Sequence, residues 1–200
     1  MPYEYHKLPP QERDVILKQR CQRGYPLHAP PHPFRESGCY LITAANYKHI
    51  PVMHSTERLT EFETLLLDAM RKIDQANIIG WVVLPNHYHL IIQLETLDQI
   101  SRPLKNLHGT TSHAWNKQDQ QAGKRQVWYK YSDRMIRNES HLYKAMNYIH
   151  YNPVKHGYIT DVYEWPWSSV WMYYEERGRD WLRENWRLYP PGDMGDGWDD

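Results

Sequence analysis

The sequence lacks the features that mark secreted, membrane-spanning and disulfide-linked proteins. Its two cysteines, Cys21 and Cys39, provide neither the spacing of a metal site nor a disulfide framework. No apolar run approaches the roughly 20 residues that span a membrane. The first residues, MPYEYHKLPPQERD, have no apolar core of a secretory signal. We therefore expect a protein of the reducing cytoplasm that has no membrane partner.

Net charge is also absent, but only when the whole chain is counted. Residues 1–100 contain 10 Lys and Arg against 11 Asp and Glu, residues 101–160 contain 10 against 3, and residues 161–200 contain 4 against 10. The basic middle segment indicates a localised anion-binding surface, although a solvated lysine-rich face has the same composition. Phenylalanine is scarce, with two residues against nine Trp and 16 Tyr. Such rings with polar atoms suit nucleobase stacking as well as core packing.

Hydrophobic periodicity predicts an α+β fold. Alternating or apolar runs predict strands and amphipathic runs predict helices in this order: strand 39–47, helix 55–75, strands 78–84 and 88–94, helix 97–118, strand 127–136 and helix 138–152. This β-α-β-β-α-β order followed by a helix is the split βαβ, ferredoxin-like arrangement. It predicts an antiparallel sheet with helices on one face.

Two of these helices contain residues that interrupt helical structure. We expect helix 97–118 to break near the Arg102-Pro103 pair or at Gly109. The helix that begins near residue 138 has Asn138 or Ser140 as its cap, and we expect Pro153 to stop it. Outside the core, residues 1–37 are expected to form a helix over 9–24 and a proline-rich connector, and residues 161–200 to form an extension with an acidic tail.

Two histidines stand one residue apart at the start of a predicted strand, in LPNHYHLIIQL. Because alternate side chains of a strand point the same way, His87 and His89 share one face and Tyr88 takes the other. Two converging imidazoles can bind a metal, or they can be polar residues on the wet face of a sheet. The pair therefore needs a third partner before it predicts a metal site.

The helix HLYKAMNYIHYNP offers such a partner. Leu142, Met146 and Ile149 form its core stripe, and Tyr148 and Asn152 lie one turn apart on a flanking face. A hydroxyl and an amide oxygen can therefore approach one site together. In the plainer interpretation, Tyr148 is a surface residue of an amphipathic helix and Asn152 ends the helix before the proline.

Three segments in order, GWVVLPNHYHLIIQL, YIHYNPVKHGY and WPWSS, resemble the single-tyrosine HUH transposases. Within that group, residues 38–172 are most similar to the REP-associated tyrosine transposases, which are encoded beside repetitive extragenic palindromes. The resemblance implies that His87 and His89 bind a divalent metal, Mg or Mn, and that Asn152 is a further ligand. It implies that Tyr148 is the nucleophile and that residues 38–160 are the nuclease and transposase domain.

The function that the resemblance implies is cleavage and rejoining of single-stranded DNA at hairpin-forming, palindromic repeats. A phenol with a pKa of about 10 is a poor nucleophile at neutral pH, and the metal would offset charge that develops on the scissile phosphate. The covalent intermediate would be a 5′-phosphotyrosine. The resemblance also implies a bacterial, nucleoid-associated protein that is a monomer or a homodimer.

Basic residues of the middle segment are candidates for tracking the DNA backbone. They are Lys105, Lys117, Lys124, Arg125, Lys130, Arg134, Arg137, Lys144 and Lys155. Base stacking is available to four nearby aromatic residues: Trp115, Trp128, Tyr129 and Tyr131.

Two other functions remain open from the residues alone. The same sheet serves in nucleic-acid-binding modules without chemistry. A zinc hydrolase would need a carboxylate or a third histidine beside the pair. The acidic tail would either restrain DNA access by charge mimicry or form an ordinary packed helix with a solvated end.

Overall fold

A computed structural model describes residues 37–192 and 194, and in the N-terminal segment residues 9–11, 14, 15 and 18. Residues 10, 11, 14, 15 and 18 are helical, in agreement with the predicted helix over 9–24. The rest of that helix, the proline-rich connector and the end of the acidic tail lie outside the described residues.

Within residues 37–192 the chain forms four strands and five α-helices. In chain order they are β1 (Gly38–Ala45), α1 (Thr56–Arg71), β2 (Asn77–Val83), β3 (His87–Leu94), α2 (Ser101–Gln118), β4 (Ser132–Ile136), α3 (Glu139–Lys155), α4 (Val170–Arg177) and α5 (Arg179–Leu188). Short 3-10 turns occur at Tyr47–His49, Leu97–Ile100 and Val162–Glu164. No helix of the described part combines the length and the apolar character that crossing a membrane requires.

The sheet has the strand order β2-β3-β1-β4, and all neighbouring strands are antiparallel. Helices α1 and α2 cover one face, where the Tyr88 ring lies 5.1 Å from that of Phe62 and its hydroxyl lies 3.1 Å from His108 Nε2. Helix α3 covers the opposite face, where Tyr148 approaches His89. The ferredoxin-like α+β prediction is therefore confirmed, with α3 added on the face that the two crossover helices leave free.

The predicted stretch 97–118 is divided beside Arg102-Pro103, where the 3-10 turn Leu97–Ile100 ends and α2 begins at Ser101, but it is not broken at Gly109. The helix runs from Ser101 to Gln118 without a break. Pro103 lies in the first turn, where backbone N–H groups have no partner within the helix in any case. Gly109 lies in the interior of the helix, where it lowers helix propensity without breaking the hydrogen-bond ladder.

Two other boundaries differ from the prediction, and one is confirmed. Strand β4 begins at Ser132, not at residue 127, and Trp128 forms only an isolated bridge with Asn46. Helix α3 continues through Pro153 to Lys155, since a proline in the last turn forfeits only one backbone hydrogen bond. The Asn138 cap is confirmed, because its side chain accepts a hydrogen bond from the backbone N–H of His141.

The segment around Ser168 pairs with the outer edge of β2. The Val83 N–H donates to the Trp167 carbonyl at 2.9 Å, and the Ser169 N–H donates to the Trp81 carbonyl at 2.9 Å. These bonds satisfy backbone groups of an edge strand that would otherwise be exposed. Sequence patterns predicted an extension here but did not indicate that it pairs with the edge strand of the sheet.

The C-terminal extension also holds α3 in place. The side chains of Asn147 on α3 and Asn185 on α5 bond to each other, with Asn185 Nδ2 2.9 Å from Asn147 Oδ1. On the same helix, Nε2 of buried His150 lies 2.9 Å from Ser169 Oγ, so His150 faces the extension and not Tyr148. The extension is therefore part of the scaffold that positions this helix.

Candidate active site

The two histidines lie at one end of the sheet, where β3 begins and β1 ends. His87 is paired with Ala45, and His89 is paired with Thr43. Their ring centroids are 5.0 Å apart at an angle of 79°. Their exposed fractions are 2% and 0%, so the alternation of the strand places both imidazoles on one sheltered face.

Helix α3 brings the other two predicted residues to the same place. The Asn152 Oδ1 atom lies 3.0 Å from His87 Nε2, and the Tyr148 hydroxyl lies 3.4 Å from His89 Nε2. Tyr148 is 2% exposed and Asn152 is 0% exposed. All four residues therefore converge within one chain, although the strand and the helix are about sixty residues apart in sequence.

Asn86 fixes the orientation of His87. The Asn86 Oδ1 atom lies 2.7 Å from His87 Nδ1, and Asn86 Nδ2 donates to the His49 carbonyl at 3.4 Å. Since the amide nitrogen faces a carbonyl, the amide oxygen faces the ring and accepts the Nδ1 proton. Nε2 of the same ring points toward α3, where it meets the Asn152 side chain.

Thr43 supports His89 in the same way. Its hydroxyl lies 2.7 Å from His89 Nδ1 and can accept that proton, which leaves the lone pair of Nε2 directed at the Tyr148 hydroxyl. Sequence reasoning missed both supporting residues. Asn86 was visible as the neighbour of His87, but Thr43 is placed only by the pairing of β1 with β3.

The donor atoms fit a divalent cation. Nε2 of His87 and Oδ1 of Asn152 lie 3.0 Å apart, so both atoms are close enough to bind one cation. Among the described side chains, Asn152 Nδ2 is buried and has no hydrogen-bond partner. Two imidazole nitrogens and one amide oxygen suit Mn better than Mg and leave positions for water or phosphate. Within residues 37–192, no cluster of three or more His, Cys, Asp or Glu side chains is arranged so that it could bind a metal.

Comparison with known proteins identifies the family. The family described as transposase IS200 like matches residues 40–152, which is more than half of the chain. The chain belongs to the IS200-like transposase family. The matched range includes all four residues of the site, and the family resemblance predicted from the sequence is confirmed.

Individual relatives agree with the family. A Haemophilus influenzae protein assigned to the REP-associated tyrosine transposases is 33% identical over 100 residues, which cover 44% of this chain and 54% of that protein. The REP-associated tyrosine transposase of Escherichia coli is 34% identical over 94 residues, which cover 46% of this chain and 53% of that protein. The chain thus spans about half the length of the curated relatives it matches.

A solved structure of a REP-associated tyrosine transposase bound to a REP hairpin has the same fold. The TM-score is 0.59 at 23% identity, and the match covers 74% of this chain and 85% of that one. At this identity the likeness is evidence about architecture alone.

Two further residues of this IS200-like transposase border the site at the end of α3. The Lys155 Nζ atom lies 5.5 Å from the centroid of the Tyr148 ring. His156, which sequence reasoning missed, is half-buried, and its ring centroid is 5.0 Å from that of His87. The nucleophile candidate and the histidine pair are therefore flanked by a cationic and an ionisable side chain.

Five of the nine predicted DNA-binding residues belong to β4, α3 or their flanks. Arg134 is paired with Leu41, two residues from Thr43, and therefore lies on the face of the sheet that carries His89. The other four residues of this group are exposed: Lys130, Arg137, Lys144 and Lys155. We call these five residues of β4, α3 and their flanks the basic margin.

The remaining four lie with α2, which covers the opposite face. Lys105, Lys117 and Lys124 are exposed. Arg125 instead contacts Asp119 at 2.8 Å and the Asn116 side chain at 2.8 Å. Hydrogen bonds from Arg58, together with those from Arg125, hold the pKa of the Asp119 carboxyl at about 2. Arg125 is thus part of a structural ion network.

Two of the four predicted stacking residues are buried in the core, and the other two are half-buried. Trp115 and Trp128 are buried in the core between α1, α2 and the sheet. The Tyr131 hydroxyl lies 2.9 Å from Ser101 Oγ at the start of α2. Tyr129 is half-buried near the His87 end of the sheet and stays available. Composition indicated aromatic residues in this segment, but the depth of each ring depends on tertiary packing.

Proposed function

We propose that this IS200-like transposase is a metal-dependent endonuclease and strand transferase for single-stranded DNA. Its substrates are hairpin-forming repeats, and its intermediate is a 5′-phosphotyrosine. The observation that carries the proposal is the convergence of Tyr148 and Asn152 on His87 and His89. A binding module without chemistry has no need of a buried tyrosine directed at a histidine pair.

His87, His89 and Asn152 would hold the metal through Nε2, Nε2 and Oδ1. A divalent cation bound there would polarise the scissile phosphate and offset the charge that develops on its oxygens. Asn86 and Thr43 hold the two rings, so the donor atoms need little reorganisation when the substrate binds.

Tyr148 would attack the phosphorus in line with the leaving 3′ oxygen. The bond from its phenolic oxygen to phosphorus forms, and the bond from phosphorus to the 3′ oxygen breaks. The phenol loses its proton and the departing 3′ oxygen gains one, so the phosphodiester is exchanged without hydrolysis. The freed 3′-hydroxyl of one strand can later attack the phosphotyrosine of another and restore a phosphodiester.

Burial of the site favours transfer over hydrolysis. Tyr148 is 2% exposed and His89 is 0% exposed, so little water reaches the bond that would join tyrosine to phosphate. Lys155, with Nζ 5.5 Å from the Tyr148 ring centroid, adds a positive charge beside the proposed nucleophile.

The substrate class rests on the relatives and on charge. Two relatives are REP-associated tyrosine transposases, and a protein of that kind has been solved with a REP hairpin. The basic margin along β4 and α3 suits the phosphates of a single strand that leads to Tyr148. Because one chain supplies all four site residues, a monomer can suffice, and a homodimer is the alternative assembly. Such a protein would act at the bacterial nucleoid.

The test is formation of a covalent adduct. The full chain is incubated with Mn²⁺ or Mg²⁺ and labelled hairpin oligonucleotides copied from the DNA that flanks its gene. We expect an adduct that resists denaturation and is abolished by Tyr148→Phe or by chelation. Tyr151→Phe is the matched control, because Tyr151 is an exposed tyrosine of the same helix. Adduct formation by Tyr148→Phe would refute the nucleophile, and no adduct from the unmodified chain would favour a binding module.

A further inference from the structure

The turn that follows β1 has an unusual backbone conformation. Lys48 has φ 56° and ψ 26°, and His49 has φ 53°. Both lie in the left-handed region, which residues other than glycine rarely adopt. Two such residues in succession indicate that the turn is held in place by its surroundings, and strained backbone of this kind concentrates at functional sites.

This turn is connected to the candidate metal ligand. The Asn46 N–H donates to the Asn86 carbonyl at 2.7 Å, and Asn86 Nδ2 donates to the His49 carbonyl at 3.4 Å. The same Asn86 side chain accepts the proton of His87 Nδ1 at 2.7 Å. The Asn86 side chain therefore connects His87 directly to the turn.

Three rings meet at this turn. The segment before β4 runs alongside it, with the Tyr47 N–H bonded to the Val127 carbonyl at 2.7 Å and the Tyr129 N–H bonded to the Ala45 carbonyl at 2.9 Å. The Tyr129 ring centroid lies 5.0 Å from that of Tyr47 and 6.1 Å from that of His49. We call Tyr47, His49 and Tyr129 the ring cluster. All three side chains are half-buried.

Positive charge and an unsatisfied polar atom accompany the rings. Lys48 is exposed, and its Nζ atom lies 5.7 Å from the centroid of the Tyr47 ring. Among the described residues, the Nδ1 atom of His49 is buried and has no hydrogen-bond partner. A ligand with a flat face, polar edges and an adjoining negative charge would use all of these groups.

We propose that the ring cluster is a stacking site for one base of the single strand, next to the nucleotide whose phosphate reaches Tyr148. This inference rests on the proposed function for the identity of the substrate. Aromatic stacking beside a cation is the usual recognition of single-stranded nucleic acid, and it requires no particular base. The connection through Asn86 brings the site within reach of a nucleotide that adjoins the scissile phosphate.

The test separates base contacts from phosphate contacts. Two fluorescein-labelled probes are used, a twelve-nucleotide oligothymidylate and a backbone of equal length in which every nucleotide is abasic. Binding is measured with chelator and in a Tyr148→Phe background, so that no bond is cut. We expect Tyr47→Leu and Tyr129→Leu each to lower affinity for oligothymidylate about tenfold or more while affinity for the abasic backbone is unchanged. Tyr129→Phe should bind oligothymidylate as the parent does.

Tyr174→Leu is the matched control, since Tyr174 is an exposed tyrosine on α4, away from this turn. Thermal melting of each variant reports whether the fold is kept. Equal affinity of parent, Tyr47→Leu and Tyr129→Leu for oligothymidylate would overturn the stacking site, as would equal losses on both probes. Neither result depends on adduct formation, which alone decides whether the proposed chemistry is correct.

Discussion

The Asn152 side-chain oxygen lies 3.0 Å from Nε2 of His87, so the tyrosine helix and the histidine strand are in direct contact inside the protein. We expect Asn152→Leu to lower the affinity for Mn²⁺ about tenfold or more, because one of three donors is lost. Asn152→Asp should keep Mn²⁺ binding and improve Mg²⁺ binding, since magnesium prefers carboxylate oxygen. Titration calorimetry measures both affinities. Asn77→Ala, at an exposed position of β2, is the control, and undiminished Mn²⁺ binding by Asn152→Leu would remove Asn152 from the ligand set.

Asn86 acts through His87, so its removal should affect the metal more than the fold. We expect Asn86→Ala to weaken Mn²⁺ binding about 10- to 100-fold, because His87 loses the acceptor that sets its tautomer. Asn86→Asp keeps an acceptor at Nδ1 and should restore most of the affinity. A purely structural role would give lower melting temperatures and equal Mn²⁺ affinities for both variants.

Two glycines provide a matched test of how closely α3 and the extension approach the sheet. A Cβ atom at Gly80 would lie 3.1 Å from Ser169 Oγ and 3.2 Å from Ile149 Cδ1, whereas one at Gly109 meets nothing within 4 Å. Gly80→Ala should lower the free energy of unfolding by about 1–3 kcal/mol. Gly109→Ala, in the interior of α2, should raise it by about 0.5–1 kcal/mol. Urea unfolding measures both, and equal stabilities would contradict the packing.

Stability should fall in mild acid because of His150. Burial lowers the pKa of this imidazole from 6.5 to about 3. Between these values the unfolded chain binds a proton that the folded chain does not, so stability decreases as the pH falls from about 6.5 toward 3. His150→Gln keeps a polar side chain near Ser169 and should reduce the slope between pH 6 and pH 4.5 by roughly 1.4 kcal/mol per pH unit. Identical slopes in urea unfolding series would show that His150 does not titrate in this way.

The two basic regions should differ in their salt dependence. Arg134 shares the face of His89, whereas Lys105 lies on α2 over the opposite face. For a short single strand without a stem, Arg134→Ala should lower the slope of log K against log salt by about 0.7, and Lys105→Ala should leave it unchanged. Fluorescence anisotropy at several salt concentrations measures the slopes. A lower slope for Lys105→Ala together with an unchanged slope for Arg134→Ala would indicate that the single strand binds along α2.

The core of the site was predictable from local periodicity. A period of two places His87 and His89 on one face, and a spacing of four places Tyr148 one turn from Asn152. Neither pattern depends on contacts between distant segments. The family resemblance then joined the strand to the helix.

The remaining features depend on long-range pairing that a single sequence does not contain. Thr43 supports His89 only because β1 and β3 pair in one particular register. Trp128 is buried because its segment runs beneath α2, where its ring is 4.6 Å from His108. Arg125 was predicted from charge alone to bind DNA, but Asp119 lies within 2.8 Å of it. Composition gives the type of side chain and leaves its neighbours undetermined.

Residues that hold the tyrosine helix are synthesised after the helix itself. Ser169 bonds to both His150 and the Trp81 carbonyl, and Asn185 bonds to Asn147. A nascent chain that ends before residue 165 would have its histidine pair and its tyrosine, but not the contacts that fix their separation. Since domains fold as they emerge from the ribosome, the candidate site would reach its final arrangement only after the extension has been synthesised. Termination before residue 165 would therefore release fragments in which the candidate site is not held in place.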